Sequence, residues 1–136
     1  MKLFIDTSDD KQIFLALLSQ DKIIAKKRFF AQYKQAEKLL PEIDKLLSGQ
    51  AGKRASLRAI AVVSGPGPFT ALRIGVTTAN TLGWALKIPV LGLKKDQIKD
   101  LKKISSLINK NIGKVKAGEA LVPFYGQEPN ITVKNE

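Results

Sequence analysis

The chain has 136 residues, of which 44% are hydrophobic and 26% are charged, values ordinary for a single soluble globular domain. Its 23 basic and 12 acidic side chains give a formal net charge of +11, which favours anionic partners. It contains no cysteine and no histidine, which excludes disulfides, thiol catalysis, zinc and haem sites and histidine acid–base chemistry. No apolar run approaches 18 residues and acidic residues interrupt the N-terminal segment, so we expect a cytoplasmic protein without a membrane span.

The first part of the chain predicts three strands and a helix. The strands are expected at residues 3–5, 12–18 and 22–29, with tight turns between them. Apolar residues between about Tyr33 and Leu47 then follow helical spacing. Pro41 lies inside this run, so a kink or an interruption is expected there. A loop is expected from Ser48 to Ser56.

The stretch from Ala59 to Leu86 predicts a buried strand, a turn rich in glycine and proline, and a second helix. The turn, SGPGPFT, lacks the Gly-Lys-Ser/Thr of a Walker loop and the third glycine of a dinucleotide-binding motif. Pro66 and Pro68 have no amide hydrogen to donate to a phosphate. We therefore interpret the turn as structural, with an anion site as the alternative.

The second helix carries small residues at four-residue intervals, at Ala71, Gly75, Ala79 and Gly83. These positions line one side of a helix and form a groove that another element can approach closely. Glycine inside a helix is unfavourable, so two of them indicate a packing reason. The composition leaves open whether the groove meets the protein's own sheet and first helix or the helix of a partner. A fifth strand is expected at residues 89–93.

Residues 94–116 hold eight lysines and two aspartates. Apolar residues at 98, 101, 104, 107 and 108 predict a basic amphipathic helix from about Asp96 to Lys110. We interpret this helix as packed on the sheet with a solvated face. The alternative is a surface that contacts nucleic-acid phosphates or an acidic patch of a protein.

Three stretches of the chain carry a family resemblance: LFIDTSDDKQIFLALL, QAEKLLPEIDKLL and SGPGPFTALRIGVTTANTLGWALKIPVLGL. The third resembles the GPGSFTGLRIG-type signature of the TsaB (YeaZ) family, bacterial proteins of tRNA threonylcarbamoyladenosine biosynthesis. The likeness runs from Leu3 to about Leu93, with Pro68 replacing the usual serine and Ala71 the usual glycine. Because the family's usual second lobe is largely absent, the chain resembles a shortened form.

The resemblance implies an α/β fold, a single ribonuclease H-like domain that corresponds to half of an actin-like ATPase. Its mixed five-stranded sheet would have helices packed on it. Residues 1–93 are expected to form this lobe. Residues 94–136 are expected to form a Lys-rich amphipathic helix and an extended C-terminal tail on the same domain. The tail would contact the domain through Phe124 and Tyr125.

The carboxylates do not predict an enzyme. A two-metal nuclease needs several converging acids, for which Asp6 and Glu37 are candidates. Ser64 stands where the third acid is expected. An actin-like ATPase binds nucleotide between two lobes, and this chain has material for one. We therefore expect no catalytic residues, no metal or cofactor site and no cofactor.

By resemblance, the chain would be a scaffold subunit that binds and activates the catalytic, TsaD-like tRNA threonylcarbamoyltransferase, with an associated ATPase subunit. A homodimer is a further alternative. The family's dimer surface is made by its first two helices. The matching positions here, which we predict to form the partner interface, are Gln35, Glu37, Leu39, Leu40, Ile43, Arg73, Gly75, Val76, Ala79, Asn80 and Gly83. Competing hypotheses are a basic RNA-binding module acting through residues 94–116, with a direct or an indirect tRNA contact, and a decayed relic of a two-lobed ancestor.

Overall fold

The computed structural model describes residues 1–49, 57–98 and 100–121. Within these ranges the strands and α-helices are, in chain order, β1 (Lys2–Asp6), β2 (Gln12–Ser19), β3 (Lys22–Phe30), α1 (Gln35–Ser48), β4 (Ala59–Gly65), α2 (Phe69–Leu86), β5 (Val90–Lys94) and α3 (Ile104–Asn111). Short 3-10 helices flank α3 at Lys95–Gln97, Leu101–Lys103 and Ile112–Lys114. No helix in the described part of the chain is long and apolar enough to cross a membrane.

The five strands form one mixed sheet in the order β3-β2-β1-β4-β5. β1 and β3 both pair antiparallel with β2, whereas β4 runs parallel to both β1 and β5. Every residue of β4 is buried, because this central strand is covered on both faces. The observed sheet confirms the predicted α/β fold with five mixed strands.

Helices cover both faces of the sheet. On one face, α1 and α2 pack over a cluster that includes Leu3, Ile5 and Ile60. On the other face, Ile104 and Ile108 of α3 join a second cluster of buried strand residues. The two clusters are separate because successive side chains of a strand point to opposite faces.

Pro41 lies inside α1 without ending it. Leu39 and Ile43, on either side of the proline, and Leu47 in the last turn are all buried against the sheet. Burial of this stripe holds both halves of the helix in place, which offsets the loss of one backbone hydrogen bond at the proline. Of the two predicted outcomes, an interruption of the helix is therefore wrong.

The predicted basic helix from Asp96 to Lys110 is shorter than expected, because α3 begins only at Ile104. The residues before it form local hydrogen bonds that compete with a continuous helix. The Gln97 side chain accepts from the Lys94 amide at 2.8 Å. The Asp100 carboxylate accepts from the Lys102 amide at 3.0 Å.

The small-residue stripe of α2 faces the protein's own sheet, and all four of its residues are buried. A Cβ atom added to Gly75 would lie 2.2 Å from Thr7 Oγ1, and one added to Gly83 would lie 2.4 Å from a methyl group of Val90. Thr7 is itself buried, and its hydroxyl donates to the Ala71 carbonyl at 2.8 Å. The sequence left open whether this stripe contacts the protein's own sheet and first helix or the helix of a partner. The structure shows that it packs against the protein's own sheet.

The turn between β4 and α2 packs against the end of β1. Gly65 has a φ of 133°, a conformation that side-chain-bearing residues rarely adopt. A Cβ atom on Gly67 would lie 2.8 Å from the Ser8 carbonyl oxygen, so the two backbones approach closely. Glycine at position 65 is thus explained by its backbone conformation, and glycine at position 67 by the close approach of the Ser8 backbone.

The chain returns from α3 to the side of α2 before residue 121. The Asn80 side chain donates to the Leu121 carbonyl at 2.9 Å and accepts from the Leu121 amide at 3.0 Å. A Cβ atom on Gly92 would lie 2.7 Å from the Leu121 side chain, which therefore packs on β5. The predicted contacts of Phe124 and Tyr125 and most of the predicted 48–56 loop lie outside the described residues.

An ion pair ties the edge strand β3 to α1. Lys27 Nζ lies 2.6 Å from Glu42 Oε1, and the two side chains are 42% and 16% exposed. The hydrogen bond from the Lys27 ammonium lowers the pKa of the Glu42 carboxyl below its ordinary value of 4.5. A carboxyl of lowered pKa stabilises the fold above its ordinary pKa, and the contribution is lost as the pH falls through the folded value.

We predict that Glu42→Gln lowers the free energy of unfolding at pH 7 by at most about 1 kcal/mol, because the pair is partly exposed. Urea unfolding at pH 7 and at pH 3 measures the effect, which should shrink at the lower pH. The matched control is Glu37→Gln, an exposed acid of the same helix, which should change stability by less than about 0.5 kcal/mol. An equal loss at both pH values would show that the effect does not come from the charge.

We predict that Gly75→Ala destabilises the fold by about 1–3 kcal/mol, because the new methyl group overpacks the buried contact with Thr7. Helix propensity alone predicts the opposite, a gain of about 1 kcal/mol. The control is Gly113→Ala, where a Cβ atom meets nothing within 4 Å. Chemical denaturation compares the two variants, and a stabilised Gly75→Ala would contradict the close approach of α2 to β1.

Candidate functional site

The eleven predicted interface residues divide into two groups by burial. Six of them pack in the protein's own core, namely Leu39, Ile43, Gly75, Val76, Ala79 and Gly83. In this chain their side chains, or the space beside the glycines, face the sheet, and their role as contact residues remains a prediction. Their regular spacing reflects internal packing. Helical periodicity marks the buried side of a helix and does not mark the side that meets a partner.

The other five predicted residues are exposed or half-buried, namely Gln35, Glu37, Leu40, Arg73 and Asn80. The side chains of two of these form hydrogen bonds to the main chain. Gln35 Nε2 donates to the Asp10 carbonyl at 3.1 Å, and Asn80 forms the two hydrogen bonds to Leu121. Glu37, Leu40 and Arg73 therefore remain as the part of the predicted set with side chains in solvent.

A groove runs between α1 and α2 on the side away from the sheet. It has a volume of about 410 Å³ and is lined by Ala36, Phe69, Thr70, Arg73, Ile74, Thr77 and Thr78. The Arg73 guanidinium lies 5.3 Å from the centroid of the Phe69 ring, within the range of a cation–π interaction. Phe69 is 54% exposed, and Leu40 of α1 is 52% exposed. The groove thus offers apolar surface together with a positive charge.

We name the exposed residues beside this groove, Ala36, Leu40, Phe69, Arg73 and Thr77, the α1–α2 face. Sequence reasoning missed Ala36, Phe69 and Thr77, although a signal was present. Residues 69, 73 and 77 precede the small residues 71, 75 and 79 by two positions each, about 200° around the helix. Once the small stripe is known to face the sheet, this second stripe must face solvent.

A second hollow of about 420 Å³ lies beside this face, between the starts of α1 and α2. Its lining includes Tyr33, Glu37, Pro68 and Thr70. Tyr33 is 88% exposed. The surface over the two helices therefore continues past the groove towards the turn before α2.

Asp6, the first candidate acid of a nuclease, is engaged in structural contacts. Its carboxylate accepts from the Ser8 amide at 2.9 Å and the Ser8 hydroxyl at 2.5 Å, and it pairs with Lys95 Nζ at 2.6 Å. Ser64 donates to the Leu93 carbonyl at 3.3 Å. Among the described residues, no group of three or more acids, cysteines and histidines could hold a metal ion. Asp6 thus connects β1 to the segment after β5.

The basic segment after β5 packs on the sheet through its apolar residues and exposes its cations. The Ser105 hydroxyl donates to the Gln20 carbonyl at 3.0 Å, and the Asn109 amide donates to Asp21 Oδ1 at 3.1 Å. These bonds place α3 over the β2–β3 turn. The exposed lysines of the segment, among its described residues, are Lys94, Lys95, Lys102, Lys103, Lys110, Lys114 and Lys116.

Comparisons with known proteins match the region that contains α1, the turn and α2. The family model of TsaD, tRNA N6-adenosine threonylcarbamoyltransferase, matches residues 29–97, half of the chain. The tRNA threonylcarbamoyladenosine biosynthesis protein TsaB of Bacillus subtilis (strain 168) is 38% identical over 88 residues, 65% of this chain and 38% of that protein. The TsaB of Buchnera aphidicola subsp. Schizaphis graminum (strain Sg) is 35% identical over 92 residues, 62% of this chain and 44% of that protein.

A solved structure agrees with these relatives. YeaZ from Pseudomonas aeruginosa is similar with a TM-score of 0.62 and 31% identity, over 68% of this chain and 44% of that chain. The chain therefore spans about two fifths of the length of the proteins it matches. Sequence, sheet order and structural neighbour agree on one family with an actin-like, ribonuclease H-like fold, and the chain belongs to this TsaB (YeaZ) family.

Proposed function

We propose that this chain acts in tRNA threonylcarbamoyladenosine biosynthesis as a non-catalytic subunit that binds the TsaD-type threonylcarbamoyltransferase. Activation of that transferase, and association with the ATPase subunit, are part of the same proposal. Two of the similar proteins carry the name of this biosynthesis. The observation that carries the proposal is the α1–α2 face, an exposed apolar surface within the matched residues.

The composition of the α1–α2 face supports a protein partner. Aromatic and arginine side chains are enriched at protein interfaces, and the stacked pair of Phe69 and Arg73 provides both at one point. Leu40 adds apolar area from the neighbouring helix. Glu37, at the edge of the face, provides a charge of the opposite sign for orienting a partner.

The family match supports the choice of the transferase as that partner. A model of the transferase family matches residues 29–97, so the transferase has a segment similar to α1 and α2. Two similar helix pairs can meet about a pseudo-two-fold axis and form a four-helix contact. The α1–α2 face would form this chain's half of such a contact.

A non-catalytic role is supported by the chemistry of the side chains. The chain has no histidine or cysteine to act as general base or nucleophile. Asp6, the acid best placed at the end of a central strand, already forms an ion pair with Lys95. The transferase, in this proposal, supplies the metal, the nucleotide and the reacting groups.

We predict that Arg73→Glu and Leu40→Asp each weaken binding to the transferase at least tenfold. Arg73→Glu removes the arginine of the proposed contact and reverses its charge, and Leu40→Asp buries a carboxylate in place of an apolar side chain. Isothermal titration calorimetry with the transferase of the same organism measures this. The control is Ser106→Asp, which adds a charge to the exposed side of α3 across the sheet and should leave affinity unchanged. Circular dichroism verifies the fold of every variant.

The same variants distinguish a homodimer from the proposed complex. Sedimentation of this chain alone measures self-association, and calorimetry measures binding to the transferase. Loss of self-association with unchanged transferase binding would assign the α1–α2 face to a homodimer. Unchanged transferase binding in both variants would overturn the proposal.

The alternative function, an RNA-binding module acting through residues 94–116, is favoured by the seven exposed lysines of that segment. Phosphate contacts make affinity fall steeply with salt, whereas a contact of apolar and small side chains responds much less. Lys110→Gln tests this alternative directly, since Lys110 lies on the exposed side of α3. Reduced tRNA affinity in that variant would support it.

A further inference from the structure

The edge strand β3 presents two cations and an aromatic ring in one row. Lys26, Arg28 and Phe30 are two residues apart, so their side chains share one face of the sheet. They are the register partners of Ala16, Phe14 and Gln12 in β2. All three are exposed, and the Phe30 side chain is 59% exposed.

This row lies on the α3 side of the sheet, at the end that α3 leaves open. Phe14 and Ala16, beside the row, belong to the same cluster as Ile104 and Ile108 of α3. The hydrogen bonds of α3 reach the β2–β3 turn at Gln20, whereas the row lies towards the other end of the strands.

Arg28 has a structural contact that fixes its position. Its guanidinium lies 4.7 Å from the centroid of the Phe14 ring, and Phe14 is only 5% exposed beneath it. The guanidinium therefore contacts the Phe14 ring, while Arg28 as a whole is exposed. A positioned guanidinium loses less entropy when it binds a phosphate than a free side chain does.

Two nearby carboxylates, those of Asp6 and Asp9, are already engaged. Asp6, the register partner of Phe14 on its other side, pairs with Lys95 at 2.6 Å. Asp9 accepts from the amides of Lys11 and Gln12 at 2.7 and 3.2 Å. Neither acid forms an ion pair with Lys26 or Arg28 among the described contacts. The row therefore remains positive in a chain whose net charge is +11.

We propose that Lys26, Arg28 and Phe30 form a binding site for single-stranded RNA. An unpaired base stacks on the Phe30 ring, and the flanking phosphates contact Lys26 and Arg28. Stacking on exposed aromatic rings beside a positive track is how proteins bind single strands without sequence preference. The choice of RNA over DNA rests on the proposed function, whereas the stacking and phosphate contacts rest on β3 alone.

The ring distinguishes this ligand from other anions. An acidic protein would pair with the two cations and gain little from Phe30. A duplex would present phosphates, but its paired bases are not free to stack on a side chain. A single strand alone uses both parts of the row.

The first experiment tests the ring. Fluorescence anisotropy of a labelled, unstructured 12-nucleotide RNA measures affinity for the full chain. Phe30→Leu should weaken binding at least about fivefold, and Phe30→Tyr should retain it, because a ring restores stacking. The control is Trp84→Leu, an aromatic residue of α2 that is 78% exposed and should leave affinity unchanged. Unchanged affinity in Phe30→Leu would overturn the proposal.

The second experiment tests the cations. Lys26→Gln should weaken binding and reduce the slope of log affinity against log salt by about 0.7. Lys45→Gln, which removes an exposed cation of α1 outside both candidate RNA surfaces, is the matched control and should leave both quantities unchanged. Equal binding of a 12-base-pair duplex, loss of affinity only in Lys110→Gln, or no RNA binding in 50 mM salt would each overturn the proposal. None of these outcomes depends on the α1–α2 face, so the transferase proposal can fail or hold independently.

Discussion

The approach of α2 to the end of β1 determines what this protein can offer to a partner. Gly75 leaves room for the Thr7 side chain, and the Thr7 hydroxyl bonds back to the Ala71 carbonyl one turn earlier. The small residues of α2 therefore pack directly on the sheet. Phe69 and Arg73, on the opposite side of the helix, are exposed. Internal packing and the outer surface are thus two consequences of one contact.

The strands could be predicted from the sequence because each is a short apolar run between turn residues, and the family resemblance implied that they form one mixed sheet. The sequence could not predict whether the small residues of α2 face the protein's own sheet or a partner, because small side chains can pack closely against either. The contact that distinguishes the two possibilities is made by Thr7, which is far from Gly75 in sequence and close to it in space. The start of α3 was missed for a local reason, the side-chain hydrogen bonds of Gln97 and Asp100.

The sheet separates the two surfaces proposed to bind ligands. The α1–α2 face lies over one cluster of buried strand residues, and the β3 row lies on the side of the other cluster. β4 is buried throughout and β1 has only its two end residues partly exposed, so a closely packed layer lies between these surfaces. In our proposals a transferase on one side and an RNA strand on the other would not compete for the same side chains.

The contact between Asn80 and Leu121 resembles a single rung of a β-ladder made by a side chain. The Asn80 amide donates to the carbonyl through its nitrogen and accepts from the main-chain amide through its oxygen, so an ionised aspartate at position 80, which only accepts, would lose one of the two bonds. Both bonds go to main-chain atoms and therefore do not select the residue at position 121. The residue at position 121 is limited instead by the space above Gly92, because any side chain at position 92 would collide with Leu121. Size therefore restricts positions 92 and 121 jointly, whereas hydrogen-bonding capacity restricts position 80.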